Sequence, residues 1–405
     1  MSTTSPLHVL VSGGGIAGNA VALQLLRNGI RTTVVERATA PRPGGQAVDL
    51  RGPSKEAAER MGLMAGIAKY QLEERGMAYV DGDGKVYARM AMEDFDGLGA
   101  IADIEITRGD LNQVLLDELA AATDSGLLDY RYGEWIERID QDATAAAVTF
   151  ASGATERFDL VVGADGVHSA TRRLAFGPEE QFSTNLGGYG AFFTMPSPPD
   201  VEPGWFEMRL IPGAMIGIRP DADPATCKAI ITLRTDPDPA LRRDVEAQRA
   251  LLRRTLADAG WRAPAILAAM DSATDFYFDE VARVDVPELS AGRVTLIGDA
   301  GYCGSPMTGM GTAMAIVGAY VLAAEIAATP ADLAGAQQRY QDKITPFLAK
   351  AKEIPGGGMK MMLPNTALMT ALAKVNVRIM MSRPMRPLTK KIFFGHTEDF
   401  ALPTY

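Results

Sequence analysis

Residues 7–36 read LHVLVSGGGIAGNAVALQLLRNGIRTTVVE, and the succession of textures in this stretch decides the fold. The apolar run at 7–11 predicts a short strand. A glycine-rich turn follows at 12–18, then a helix over 17–28 with Gly29 as its stop. RTTVVE at 31–36 predicts a second, β-branched strand. Together they form one βαβ unit of about thirty residues. Gly13, Gly15 and Gly18 sit between the first strand and the helix, the context that gives a Gly-x-Gly-x-x-Gly motif meaning. Glycines permit the tight turn and let backbone approach a pyrophosphate, towards which the helix start at Ile16 and Ala17 directs its free N–H groups. Glu36 ends the second strand about twenty residues on, where a carboxylate accepts from ribose hydroxyls and disfavours a 2′-phosphate. Arg37 follows it. The unit predicts a dinucleotide site without separating FAD from NAD.

The rest of the composition narrows the field. The chain has 405 residues, is 47% apolar and carries a net charge of −10. Length suggests two or three domains, and an acidic chain is poorly suited to a phosphate backbone, so no nucleic-acid partner is expected. Cys227 and Cys303 are the only cysteines, and His8, His168 and His396 the only histidines. They make neither a disulfide framework nor a metal-ligand spacing, and a reducing cytoplasm fits this usage. The first residues lack the basic and apolar regions of a signal peptide. The most apolar late stretch, 312–328, reads as a buried helix, so no membrane partner is expected.

Further along, 38–52 is a Pro- and Gly-rich loop, 54–64 a capped helix, 77–90 a hairpin around Asp81-Gly82-Asp83-Gly84, and 110–123 a helix. DLVVG at 159–163 is another buried strand. From about 177 to 287 strand-like runs alternate with turns at 188–195, 205–211, 214–219 and 228–234, with a helix at 244–259. RVTLI at 293–297 returns to a parallel-type strand, and a helix over 332–352 is expected to break near Pro346. The expected organisation is a first domain over 1–176, an inserted, mostly antiparallel sheet domain over 177–287, a return to the first domain over 288–345, and a helical segment over 346–405.

Two more motifs carry chemistry. Gly298-Asp299-Ala300 follows the RVTLI strand and precedes Pro306, Gly309, Gly311 and Thr312. A carboxylate at a strand end can accept from ribitol hydroxyls, and a helix start behind it can direct N–H groups at the flavin O2. The competing reading is Asp as a plain helix cap. The third motif is DLVVGADGVHSATR at 159–172. Asp165-Gly166 is a turn and Ser169 caps the next helix. His168 reads as a helix-start residue rather than a base.

With the three motifs in this order, the chain resembles the flavin-dependent aromatic hydroxylase family, whose best-known member is para-hydroxybenzoate hydroxylase. The resemblance covers most of residues 7 to 345. It implies an α/β fold: a Rossmann-type, glutathione reductase-like FAD domain, an inserted sheet domain that binds substrate, and a C-terminal helix. It also implies a flavin C4a-hydroperoxide as oxygen donor. The GGxxxDL pattern of one branch occurs as Gly44-Gly45-Gln46-Ala47-Val48-Asp49-Leu50, a branch shared with tetracycline-inactivating monooxygenases and tailoring enzymes of polyketide pathways. By that similarity Asp49, Asp165 and Asp299 contact FAD, Arg108 its ribityl-pyrophosphate region, and Arg42 the NADPH. Guanidinium donors suit these roles, although a surface arginine is the other reading of each. Two departures from the family pattern stand out: Asp-Ala-Ala-His becomes Asp299-Ala300-Gly301-Tyr302, and a later Asp-Ala becomes Gly318-Ala319.

The resulting expectation is a cytoplasmic FAD enzyme, monomer or homodimer. It would use NADPH or NADH and O2 to hydroxylate, or oxidise in Baeyer–Villiger fashion, an aromatic or polyketide-like small molecule. Inactivation of a tetracycline-type antibiotic and flavin oxidoreduction without oxygen transfer are the alternatives. The cofactor performs the hard step, and no catalytic acid–base pair is identified. Tyr189, Phe193, Trp205, Met215, Phe276 and Pro306 are the candidate substrate-lining residues. Strand alternation sends about half of them elsewhere, where they are ordinary core. Met359, Met361, Met362 and Met369 read first as core packing of a C-terminal helix, and second as an adaptable lid.

Overall fold

The computed structural model describes residues 7–42, 44–91, 104–122, 126–354, 358–385, 387–389 and 400–405. Its organising element is a six-stranded sheet in the order Ser290–Ala291, Val294–Leu296, Leu160–Gly163, His8–Ser12, Arg31–Glu36, Leu128–Tyr132. All pairs are parallel except the first. Parallel strands are covered on both faces and therefore read as continuous apolar runs, which is why Val9, Leu10, Val11, Leu160, Val161 and Val162 are fully buried. The helices Ile16–Arg27, Arg108–Ala121 and Gly311–Ala328 pack on one face. A small antiparallel sheet of Ile136–Gln141, Ala146–Phe150 and Thr155–Phe158 covers the other. Gly311–Ala328 is long and apolar enough to cross a membrane, but 67% of it is buried inside the protein, as a core helix is.

The second layer is a seven-stranded sheet in the order Tyr277–Val284, Ser183–Pro196, Thr226–Arg234, Ala214–Pro220, Trp205–Ile211, Gly76–Val80, Val86–Ala91. It is larger than segment 177–287. The expected hairpin forms at Gly76–Val80 and Val86–Ala91, but it belongs to this sheet and pairs in parallel onto Trp205–Ile211. Without it Trp205–Ile211 would be an exposed edge, an arrangement proteins avoid. One face of the sheet is covered by Val245–Leu256 and Ala263–Ser272, which bury Phe193, Ile216, Ala229 and Ile231.

Polar groups tie the layers together. Arg219 on the large sheet is paired with the buried Glu74 at 2.5 Å and Glu105 at 2.8 Å, and donates to the Ala47 carbonyl at 3.0 Å. His168 sits just before the Ser169 helix cap but is more than a helix-start residue. Its Nδ1 meets Glu179 at 2.9 Å and its Nε2 meets Asp279, on the sheet, at 3.0 Å.

The expected helix break is corrected. The helix Leu333–Ala351 runs unbroken through Pro346. Proline removes one backbone donor, but the buried Ile344, Phe347 and Leu348 hold the turn in place, and the Thr345 hydroxyl donates to the Gln341 carbonyl at 2.7 Å. The two departures at Tyr302 and Gly318 prove to be one feature. A Cβ at position 318 would lie 2.0 Å from the Tyr302 hydroxyl, so the glycine supplies the space that the tyrosine fills. Tyr302 is fully buried and shares a hydrogen bond with the Tyr340 hydroxyl at 3.0 Å, and Tyr340 reaches the Leu296 carbonyl at 3.3 Å.

Gly318→Ala would normally stabilise a helix interior by about 1 kcal/mol. Here overpacking should reverse the sign and cost about 1–3 kcal/mol. Thermal melts of the two single variants and the double variant should show that much of this cost disappears in a Tyr302→Phe background. The His168 bridge gives a second expectation. Hydrogen bonding to Asp279, against partial burial, raises the imidazole pKa above 6.5, with Glu179 adding to the rise. A raised folded pKa stabilises below the unfolded value and loses its effect as pH climbs through the folded one. The melting-temperature difference between wild type and His168→Gln should therefore be largest near pH 5.5–6 and shrink by pH 8.5.

Candidate functional site

The first motif forms a turn whose glycines each answer a separate demand. Gly13 has φ +111°, and a Cβ on it would lie 2.5 Å from the Ala164 carbonyl oxygen. A Cβ on Gly18 would lie 1.9 Å from the Gly13 oxygen, the closest approach in the loop. Among the described residues nothing stands within 4 Å of where a Cβ on Gly15 would be. That space adjoins the start of Ile16–Arg27, a helix of 12 residues with no side-chain cap. An open, uncapped helix N-terminus beside a glycine is the donor set that a pyrophosphate requires.

Side chains missed by the sequence reading fix the loop. Gly14 is as constrained as its neighbours, since a Cβ there would lie 2.3 Å from the Tyr130 hydroxyl. The buried Asn19 donates to the Gly14 carbonyl at 2.8 Å and to Asn112 at 2.9 Å, and accepts from Tyr130 at 3.0 Å. Glu36 accepts from the Gly14 N–H at 2.8 Å and the Ala38 N–H at 2.7 Å. Each carboxylate oxygen retains a lone pair for another donor. No spacing rule would have found Asn112 or Tyr130, which reach the loop only through the fold.

The second motif is brought against the first. Gly298 has φ +59°, and a Cβ on it would lie 2.9 Å from that of Ala17. Asp299 is half-buried and looks towards Gly311, whose Cβ position is 4.0 Å from Asp299 Oδ1. Gly311–Ala328 also begins without a side-chain cap, so two bare helix starts converge on one space. The intervening loop carries strain: Ser305 is buried with φ 80° and ψ 148°, a region nearly reserved for glycine. Pro306 and Gly309 beyond it are exposed, and Thr312 is half-buried at the helix start.

Arg108 is the exposed first residue of Arg108–Ala121, next to the Thr107 cap, and its Cβ is 3.4 Å from the Gly45 Cβ position. The Gly44-Gly45 loop is held by Gly109, whose N–H donates to the Gly44 carbonyl at 2.7 Å. Arg108 and Asp299 both act electrostatically on the Tyr277 hydroxyl and the Cys303 thiol, which brings the loop after the first unit and the second motif to one place.

Other candidates are placed differently. Ile16 is buried, so only its backbone faces the open space, and Arg37 and Arg42 are exposed. The Asp49 carboxylate is paired with Arg51. Asp165 accepts from Ser169 and from the N–H and hydroxyl of Thr171 at 2.9 and 3.0 Å, so its carboxylate organises the turn. Tyr189, Phe193 and Phe276 lie on the helix-covered face of the large sheet, Tyr189 stacked on Phe278 at 5.0 Å and Phe193 against Phe276 at 6.0 Å. Trp205 is buried under Arg89, whose guanidinium lies 3.8 Å from its ring. The parity of alternation puts these four away from the flavin side. Met215 alternates to that side, where it packs with Leu210, Tyr79 and Met307, the neighbour of Pro306. Phe192 and Tyr277 share the parity of Met215 and were missed. They are cross-strand partners with rings 6.2 Å apart. The Tyr277 hydroxyl donates to Asp279 at 2.8 Å, and so joins the His168–Glu179–Arg242 row that reaches the surface.

Comparison with known proteins agrees with this geometry. The profile of the FAD binding domain family matches residues 6–351. An uncharacterized protein of Mycobacterium tuberculosis is 39% identical over 86% of this chain and 94% of its own. A flavin-dependent monooxygenase of Legionella longbeachae is 35% identical over 84% of this chain and 86% of its own. The crystal structure of the tetracycline destructase Tet(51) superposes with a TM-score of 0.81 at 31% identity, covering 99% of this chain and 100% of that one. The chain belongs to the FAD binding domain family and, with its aromatic hydroxylase-like relatives, is a flavin-dependent monooxygenase.

Proposed function

We propose that this enzyme uses NADPH or NADH and O2 to insert one oxygen atom into an aromatic or polyketide-like small molecule. The observation that carries the reading is the coincidence of two kinds of surface in one space. On one side are two uncapped helix starts with Asp299 and Arg108. On the other is an apolar sheet face with Phe192, Met215 and the adjoining Met307.

The residues fit FAD. The Gly15 opening and the N–H groups of Ile16 and Ala17 would hold its pyrophosphate, Glu36 a ribose, and Asp299 the ribitol. Arg108 would neutralise charge along the ribityl-pyrophosphate chain, and the start of Gly311–Ala328 would place N–H groups at the isoalloxazine O2. FAD supplies reduction by the nicotinamide and activation of O2. The protein's own part is to orient the substrate and exclude water, so that oxygen is transferred before it is lost as H2O2. Phe192 and Met215 provide the apolar floor. The phenol of Tyr277, held on Asp279, is a hydroxyl placed beside that floor, from which the His168–Glu179 row can pass a proton outward. Exposed Arg42 lies in the loop before Gly44 and is the proposed partner of a phosphate of NADPH.

A second reading, action on a tetracycline, rests on the fold and sequence likeness to Tet(51). A panel of polycyclic phenols and tetracyclines, incubated with FAD-loaded enzyme, NADPH or NADH and isotopically labelled O2, separates the two readings. Mass spectrometry should find one labelled oxygen atom in a product, accompanied by ligand-dependent NAD(P)H oxidation. Incorporation into a phenol supports the first reading, and into a tetracycline alone the second. NAD(P)H consumption that ends only in H2O2 with every compound contradicts both.

A further inference from the structure

The helix Ala367–Met380 packs by one side against the strands Trp205–Ile211 and Val86–Ala91. Thr370 on that side is buried, and Ala373 joins the apolar cluster around Leu210 and Met359. A helix on a protein surface should turn charged and polar residues outward. This one turns Asn376 and Arg378 outward but exposes a row of large apolar residues beside them. Leu368, Leu372, Val375 and Ile379, spaced four, three and four residues apart, form a single outward stripe. They are 71%, 55%, 56% and 52% exposed. Met361 and Met362, just before the helix, extend the apolar surface at 65% and 43% exposure. A contiguous exposed patch of this kind marks a contact surface.

Its charge identifies the partner. Residues 354–397 contain seven Lys or Arg and no Asp or Glu, in a chain whose net charge is −10. Lys360, Arg378 and Arg383 are exposed around the stripe. An apolar face flanked by Lys360, Arg378 and Arg383, with Asp81 acting only on the half-buried Lys374, is the pattern of a helix that lies in the headgroup region of an anionic bilayer. A second copy is a poorer occupant, because two-fold pairing on the stripe would set the same basic flanks against each other. Nor do the last residues cover it, since Leu402 is buried in the core of the six-stranded sheet and Tyr405 binds Glu325 at 2.9 Å. We propose that Ala367–Met380 docks the enzyme on the surface of membranes rich in anionic lipid. The absence of a membrane partner expected from the sequence rested on the lack of a spanning segment, a test that a helix lying flat does not meet.

The test is co-sedimentation of the full-length, FAD-loaded enzyme with vesicles of phosphatidylcholine alone or mixed equally with phosphatidylglycerol. Binding should favour the anionic vesicles and should fall when salt is raised from about 0.1 M to about 1 M, which shortens the screening length from about 10 Å to about 3 Å. The double variant Leu372→Asp with Val375→Asp should lower the bound fraction about tenfold or more. Because both side chains point outward, its flavin content and melting temperature should stay at wild-type values. Arg378→Glu with Lys360→Glu should weaken binding to anionic vesicles only. No sedimentation with anionic vesicles overturns the proposal, as does equal binding to both kinds. It is likewise overturned if sedimentation equilibrium shows a dimer that Leu372→Asp with Val375→Asp dissociates while vesicle binding is absent.

Discussion

Everything at the candidate site depends on a close approach of backbone to backbone. A side chain at Gly18 would strike the Gly13 carbonyl at 1.9 Å, and one at Gly13 would strike Ala164 at 2.5 Å. Only glycine lets the first helix start directly above the first strand, with its N–H groups bare and facing the opening at Gly15. The same economy recurs where Gly298 meets Ala17, so the second strand-to-helix turn delivers Asp299 beside the first. Two helix starts then share one space, and their partial positive charges add. An anionic, hydroxyl-rich cofactor is the natural complement of such a space.

The second constraint is compensation. Tyr302 is large and buried where the family pattern has histidine, and the chain accommodates it by leaving position 318 without a side chain. Burial pushes the Tyr302 hydroxyl up to about 12, so it stays neutral and hydrogen-bonded to Tyr340, and the pair ties the flavin loop to the helix Leu333–Ala351. A change that looked like a loss at one position is therefore half of a matched pair.

Much of this was legible in the sequence because local chemistry and long-range packing agreed. The first βαβ unit, the hairpin at Asp81–Gly84 and the Asp299 turn are signalled by residues whose reasons are local: positive φ, helix starts, alternating apolar runs. The large sheet was legible as strands but not as a surface. Alternation has a period of two, and without the register a reader cannot know which parity faces the flavin. That is why alternation alone points as readily to Phe193 and Tyr189 as to Phe192 and Tyr277. Asn112 and Tyr130 were invisible for a related reason, since residues roughly a hundred positions away meet Gly14 only after the sheet has formed. The Pro346 break failed because tertiary packing outweighed one missing hydrogen bond. The methionines of the C-terminal segment read first as core packing, yet only Met359 is buried while Met361, Met362 and Met369 are exposed, because the side that Ala367–Met380 buries is decided by the sheet beneath it.

The central claim is that the opening at Gly15, between two uncapped helix starts, holds FAD. The direct measurement is a titration of the flavin-stripped protein with FAD, followed by quenching of flavin fluorescence and set beside Gly15→Val, which fills the opening. The wild type should saturate at one FAD per chain, and the variant should lose affinity about a hundredfold, as expected when charge-assisted hydrogen bonds to a phosphate, worth about 1.5–3 kcal/mol each, are blocked. Folding of the variant would be confirmed by an unchanged far-ultraviolet spectrum. A wild-type protein that binds no FAD, or a folded Gly15→Val protein that binds it as tightly, would contradict the account.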